Sequence, residues 1–298
     1  MEATLDRLAA LLPEAAEALR ARRESLREVR LRAGQPVRLC AGAEEIPAGG
    51  NLEAERLQHI LAALMDYSLH AREEELRQGF FTLRDGCRVG VCGQLVAGEG
   101  RVLALRCVGS LCVRIARPIP GCADALRPWF MGPRSLLLAA PPGMGKTTLL
   151  RDIARQLSLS GVSVGVADER HELAACIGGV PSADLGPRAD VMDGGPKAAA
   201  IRMLLRSMAP GAIVTDEIGG DEDAGALSDA RRCGAAVIAS AHAGDMAALL
   251  HRRHVSEMLR DGLFDAVALL GDAPGRVRAV YCREEGGTAW GLESSWRA

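Results

Sequence analysis

The sequence predicts an α/β protein with two domains: a smaller N-terminal α+β domain over residues 1–130, and a C-terminal domain over 131–298 built on a mainly parallel sheet. Three observations carry this expectation. From Ser135 onward, apolar strands alternate with helical segments, the pattern of a parallel sheet covered on both faces. Before residue 130 the apolar segments are short, alternating and broken by glycines, which suits a twisted antiparallel sheet. Between them, "RPIPGCADALRPWFMGPR" holds four prolines and two glycines and reads as a linker. At 298 residues the chain is long enough for two cores.

In the N-terminal domain a helix near 5–23 is expected to lead into a strand, "EVRLRAGQPVRLC". A second helical stretch follows around 53–77, and then the alternating run "FFTLRDGCRVGVCGQLVAGEGRVLALRCVGSLCVRIA". In the C-terminal domain "SLLLAA", "VSVGVAD", "GAIVTDE" and "AAVIASAH" read as strands. The helices between them are "GKTTLLRDIARQLS", "PKAAAIRMLLRSM" and "EDAGALSDARRC".

Composition narrows the function. The formal net charge of -2 gives no global basic field for nucleic acid, and three Trp, two Tyr and four Phe leave few rings for base stacking. The N-terminus lacks the basic start, apolar core and cleavage site of a secretory signal, and no stretch approaches a membrane span. A cytoplasmic chain that docks peripherally on a membrane complex is the expectation. Nine cysteines in a signal-less chain argue against a disulfide framework. Cys87, Cys92, Cys107 and Cys112 have C-x4-C spacing, wrong for common zinc knuckles, so they read as small strand residues. Of 36 basic residues, only Lys146 and Lys197 are lysines. A lysine kept in an arginine-saturated chain suits a place where a compact ammonium fits and a planar guanidinium does not.

Lys146 lies in "LLLAAPPGMGKTTLL", where a buried strand ends in a Gly-containing turn that opens a helix. The strict phosphate-loop pattern fails at its first position, Ala140, but the strand–turn–helix context is the one the motif requires. In the loop Pro142, Gly143, Met144, Gly145, Lys146, Thr147 and Thr148, the backbone N–H groups from Gly143 to Thr148 are expected to cradle phosphate at the helix N-terminus. Lys146 would reach the β and γ phosphates, and the Thr147 hydroxyl would ligate Mg²⁺. About seventy residues on, "AIVTDEI" ends a strand in two acids. Asp216 suits a carboxylate that holds Mg²⁺ through water, and Glu217 a base that polarises the attacking water. "ADERHEL" sets Asp168, Glu169 and Arg170 at a strand end, and "ASAHAGD" sets Ser240 and His242 at another, on the edge where open α/β sheets keep their ligand crevice.

Taken together, "APPGMGKTTLLRDIA", "VADERHELAAC", "GVPSADLGPRADVMDGGPKA", "LLRSMAPGAIVTDEIG" and "VIASAHAGD" resemble the stage III sporulation AA family, within the type II/type IV secretion ATPases. The resemblance covers the C-terminal domain and, less specifically, the N-terminal one through "EVRLRAGQPVRL" and "GFFTLRDGCRVGVCG". It implies a RecA-like P-loop ATPase that binds ATP and Mg²⁺ and assembles as a homohexamer. It also implies docking on membrane-embedded channel proteins from the mother-cell side during endospore formation. By resemblance Glu169 takes the place of the acidic box and His242 that of the histidine box, and Ala140 departs from that branch's usual Gly. A neighbour's arginine is implied to complete each site, with Arg188, Arg202, Arg206, Arg101 and Arg114 as candidates. Two other readings remain: a nucleic-acid-dependent ATPase or translocase, and a nucleotide-gated scaffold without turnover.

Overall fold

The structure, a computed structural model, describes residues 2–42, 44–67, 76–83, 85–98, 101–115, 119–283 and 289–295. The chain divides into two compact units, Met1–Arg117 and Pro118–Ala298.

In the first unit α1 (Glu2–Leu11) and α2 (Ala16–Ala21) are separated by a 3-10 turn at Pro13–Ala15. The one helix expected over 5–23 is therefore two, because Pro13 cannot donate the backbone hydrogen bond that would continue the first. The expected strand "EVRLRAGQPVRLC" is likewise a hairpin. Its arms β1 (Leu26–Arg32) and β2 (Pro36–Ala41) pair antiparallel, and Gly34 supplies the turn at φ +74°. Then come β3 (Glu44–Asn51), α3 (Ala54–Leu64), β4 (Phe80–Thr82), β5 (Arg88–Gly98) and β6 (Arg101–Arg114). The expected helix over 53–77 holds for Ala54–Leu64, and its stretch 68–75 lies outside the described residues. The sheet order is β3-β2-β1-β6-β5-β4, antiparallel at every pairing. Leu8, Leu57 and Ile60 from the helices, with Leu12 just after α1, close its core against Val29, Leu39, Val89 and Val113. Cys92 sits in β5, Cys107 and Cys112 in β6, and Cys87 just ahead of β5; all nine cysteines are free thiols.

The second unit begins earlier than the expected boundary near 130. Its first elements are a 3-10 turn at Asp124–Leu126 and α4 (Arg127–Phe130), and Ala123, Leu126 and Phe130 are wholly buried in its core. There follow β7 (Leu136–Ala139), α5 (Lys146–Leu159), β8 (Val164–Asp168), β9 (Ala189–Asp193) and α6 (Lys197–Ser207). Next are β10 (Ala212–Glu217), α7 (Asp221–Arg232), β11 (Ala236–Ala241), α8 (Met246–Leu250) and α9 (Arg253–Arg260). The unit ends with β12 (Ala266–Leu270), β13 (Val277–Arg283) and β14 (Trp290–Ser295). Asp152 of α5 explains the boundary. Its carboxylate accepts the backbone N–H of Gly121 at 3.1 Å and of Ala123 at 2.9 Å, bolting the proline-rich segment to α5. Burial alone would raise the Asp152 pKa, but these bonds and those from Gln156 and Arg155 carry it below the usual carboxylate value.

The second sheet runs β14-β13-β12-β7-β11-β10-β8-β9, parallel from β12 to β9 with antiparallel β13 and β14 at one edge. Strand alternation divides its side chains cleanly. Leu136, Leu138, Val164, Val166, Val214 and Ile238 pack on one face with Leu149, Ile153 and Leu157 of α5. Leu137, Ile213, Val237 and Val267 pack on the other with Ile201 of α6, Leu227 of α7 and Leu259 of α9. This is the three-layer architecture expected of a continuous apolar strand pattern. Strand β11 sits between β7 and β10, so the loop after β7 and the acids ending β10 flank the end of β11. Among the described residues no helix is long and apolar enough to cross a membrane.

Candidate nucleotide site

Four parallel strands, β7, β8, β10 and β11, end on one edge of the sheet, and a cleft of about 460 Å³ opens there. Its walls include Pro142, Gly143, Gly145, Lys146, Thr147 and Thr148 from the loop and the start of α5. Arg170, Glu172, Asp216, Glu217, Ser240 and His242 complete it from the other strand ends. Open α/β sheets bind ligands at this edge.

The loop's backbone explains why Ala140 is tolerated. Its glycine-demanding positions are Gly143 at φ +76° and Gly145 at φ +82°, whereas Ala140 lies outside the left-handed region. Ala140 is wholly buried and its N–H donates to the Ala241 carbonyl at 3.2 Å, continuing the pairing of β7 with β11. Gly145 is doubly constrained, because a Cβ there would lie 2.7 Å from the backbone nitrogen of Gly275. The turn between β12 and β13 thus buttresses the loop, and Gly275 N–H donates to the Met144 carbonyl at 2.9 Å. Gly145→Ala is expected to lose about 1–3 kcal/mol from backbone strain, with the clash added, read as a lower urea midpoint. An unchanged midpoint would contradict this placement of the loop. Met144 itself packs against the core and, unlike its neighbours, is not part of the cleft wall.

Lys146 opens α5, with its ammonium donating to the Ala140 carbonyl at 2.9 Å and the Pro141 carbonyl at 3.1 Å. The same ammonium lies 2.9 Å from His242 Nδ1. An ammonium can only donate, so Nδ1 accepts and the ring proton sits on Nε2. That Nε2 is 3.0 Å from Glu217 Oε2. A continuous polar chain therefore runs from Lys146 through His242 to Glu217. Burial lowers the Lys146 pKa below the usual lysine value; Glu217 opposes that shift and Arg252 adds to it.

Arg252, between α8 and α9, places Nη1 3.7 Å from Glu217 Oε1. It is a contact the sequence does not reveal. The arginines singled out from the sequence lie elsewhere: Arg188, Arg202 and Arg206 are exposed and absent from the cleft wall. Arg202 instead pairs with Asp229 at 3.4 Å. Arg114 belongs to the first unit and pairs with Glu28 at 3.3 Å, and the side chain of Arg101 lies outside the described residues.

The loop after β8 departs from expectation. The wholly buried Asp168 accepts backbone N–H groups from Glu172 at 2.8 Å, Leu173 at 3.0 Å and Ala174 at 2.7 Å. Arg151 of α5 clamps the same turn, donating to the carbonyls of Glu172 and Leu173, each at 2.8 Å. This curl brings Glu172 and Arg170 to the cleft wall but not Glu169, which is exposed with its carboxylate 4.0 Å from Lys197. Asp168 organises the loop, and Glu172 is a cleft-wall acid that the sequence did not single out.

Asp216 is buried, and that burial raises its carboxyl above the usual value, while Lys197 opposes the shift. A divalent cation of the Mg²⁺ type takes oxygen ligands. The Thr147 hydroxyl and the Asp216 carboxylate share the cleft wall and supply that donor chemistry, so the residues present fit such an ion.

Residues 3–288 match the family profile described as "Sporulation stage III, protein AA". The chain is 39% identical over 269 residues to "Stage III sporulation protein AA" of Bacillus subtilis (strain 168), covering 87% of each. It is 30% identical over 179 residues to "Protein SEEDLING PLASTID DEVELOPMENT 1" of Arabidopsis thaliana, covering 59% of this chain and 25% of that protein. Among solved structures, it resembles the pilus retraction motor PilT with bound ADP at a TM-score of 0.60 and 18% identity. That match covers 85% of this chain and 76% of PilT. It resembles the Legionella pneumophila ATPase DotB at a TM-score of 0.59 and 16% identity, covering 88% and 75%. The fold is thus the RecA-like α/β fold that PilT and DotB share.

Proposed function

The chain belongs to the sporulation stage III protein AA family, and from that premise we propose that it is an ATPase that hydrolyses MgATP to drive conformational work at a membrane-spanning, secretion-like channel during endospore formation. The observation that carries the proposal is the contact chain from Lys146 through His242, at 2.9 Å, to Glu217, at 3.0 Å, along the wall that also holds Asp216. It links the residue type that grips phosphate to the residue type that activates water.

The backbone N–H groups from Gly143 to Thr148 and the N-terminus of α5 cradle the phosphates, and Lys146 reaches the β and γ oxygens. Thr147 and Asp216 would hold Mg²⁺, which when bound would supply positive charge against the phosphate oxygens. Glu217 accepts the proton of the attacking water. Recruiting Lys146 to a phosphate removes the donor from His242 Nδ1. Through Nε2, His242 then reports that change to Glu217 and, past it, to Arg252 at the start of α9. This route would turn the state of the γ-phosphate into movement. Glu172 is the acid assigned to the loop after β8, in place of Glu169.

In this reading the protein works as a homohexamer, peripheral to the membrane on the mother-cell side, with a neighbour's arginine completing each site. Embedded channel proteins are the docking partners. Titration calorimetry with ATP tests the first step, with binding expected to tighten when Mg²⁺ is added. Adding single-stranded DNA or RNA is expected to leave turnover unchanged, in keeping with the -2 charge. Stimulation that falls with rising salt would instead make the chain a nucleic-acid-dependent translocase.

A further inference from the structure

Lys197, the second surviving lysine, is the first residue of α6, and its side chain is only 3% exposed. It does not line the cleft. Its ammonium lies 2.5 Å from Asp216 Oδ1, 3.9 Å from Asp223 Oδ2 and 4.0 Å from Glu169 Oε2, and it donates to the Glu217 backbone carbonyl. One buried cation thus ties together the end of β10, the first turn of α7 and the residue after β8. The position is unfavourable on two counts, since a helix N-terminus repels positive charge and burial strips the ammonium of water. The surrounding carboxylates offset both. A compact ammonium can meet acceptors converging from three sides, which a bulkier planar guanidinium does less well.

We propose that Lys197 is a positioning residue of the hydrolytic site, pinning the Asp216 carboxylate and the Glu217 backbone so that metal ligand and base are presented together. The proposal rests on the ATPase reading above. Lys197 acts through Asp216 and Glu217, since its ammonium contacts both and is not part of the cleft wall. Asp223 shares this work, accepting the Gly219 N–H at 2.9 Å and holding the turn that leaves β10.

Lys197→Met keeps the bulk of the stem and removes the charge. The expected result is a fall of about 100-fold in kcat, the scale of a small misplacement of catalytic groups, with KM for MgATP rising no further than the lost Mg²⁺ contribution to affinity. By calorimetry, affinity for ATP in EDTA is expected to be unchanged, because Lys146 and the loop are intact. The gain in affinity on adding Mg²⁺ is expected to shrink, because Asp216 is no longer held. In an Asp216→Asn background, Lys197→Met is expected to add less than it does alone, the mark of residues acting as a unit. That background also covers the case in which the single variant does not fold, since it removes the buried charge left unpaired. A folded Lys197→Met protein with wild-type kcat and an undiminished Mg²⁺ gain would overturn the proposal. So would an equal loss of ATP affinity in EDTA, which would make Lys197 a phosphate contact. If the wild-type protein shows no turnover, the ATPase reading fails instead, and the Mg²⁺ gain still decides for or against Lys197.

Discussion

Replacing Glu217 with Gln is expected to lower ATP turnover by about 10³-fold, within the range for removing a general base, while nucleotide affinity stays equal or rises. The side chain's place in the molecule supports this separation. Its two oxygens meet His242 Nε2 at 3.0 Å and Arg252 Nη1 at 3.7 Å. It therefore lies at the end of β10 in the same cleft wall as the loop proposed to grip phosphate. Gln keeps the size and an oxygen that accepts from His242, so the wall is preserved while the basic carboxylate is lost. Removing a negative charge beside a polyphosphate site does not weaken binding. The measurements are steady-state phosphate release and calorimetric ATP affinity on the same preparation. Loss of affinity in step with loss of turnover would mean that Glu217 serves binding rather than chemistry.

Lys146→Ala is expected to have the opposite profile. Truncating one partner of a desolvated charge contact costs about 2–5 kcal/mol, so ATP affinity should fall by at least about 30-fold. Turnover at ordinary substrate concentration falls with it. Lys146→Arg is expected to behave in the same way, because the ammonium sits between two carbonyls and a ring nitrogen at 2.9–3.1 Å. Equilibrium titration with ATP checks both variants, and wild-type affinity in Lys146→Ala would remove the lysine from the phosphate site. The buried ammonium has existing partners in Ala140, Pro141 and His242. A phosphate bound at Lys146 would have to compete with them, which would couple its binding to the state of His242.

The parts of this site that the sequence revealed are those in which function is written into local backbone chemistry. Gly143 and Gly145 mark a left-handed loop, Lys146 stands out against an arginine background, and Asp216 and Glu217 end an apolar run. What it concealed depends on tertiary contacts. Glu172 rather than Glu169 reaches the cleft because Asp168 gathers three backbone N–H groups and curls the loop, and no periodicity announces that turn. Arg252 lies in the run "HRRH", where neighbouring arginines are indistinguishable until α8 and α9 are folded. The same holds for architecture. The central strands read clearly because both faces are buried, whereas the edge strand β3 carries Pro47, Gly49 and Gly50 and gives no alternating signal. The domain boundary shifted because the prolines of "RPIPGCADALRPWF" suggest a linker, while Ala123, Leu126 and Phe130 in that run are wholly buried in the second core.

The central claim is that this cleft holds MgATP and hydrolyses it. The most direct measurement is phosphate release from the wild-type protein mixed with a slight excess of ATP, followed in Mg²⁺ and in EDTA. The account predicts release of inorganic phosphate in Mg²⁺ and none in EDTA. ATP that binds in Mg²⁺ yet is recovered intact would contradict it and leave a nucleotide-gated scaffold in place of a motor.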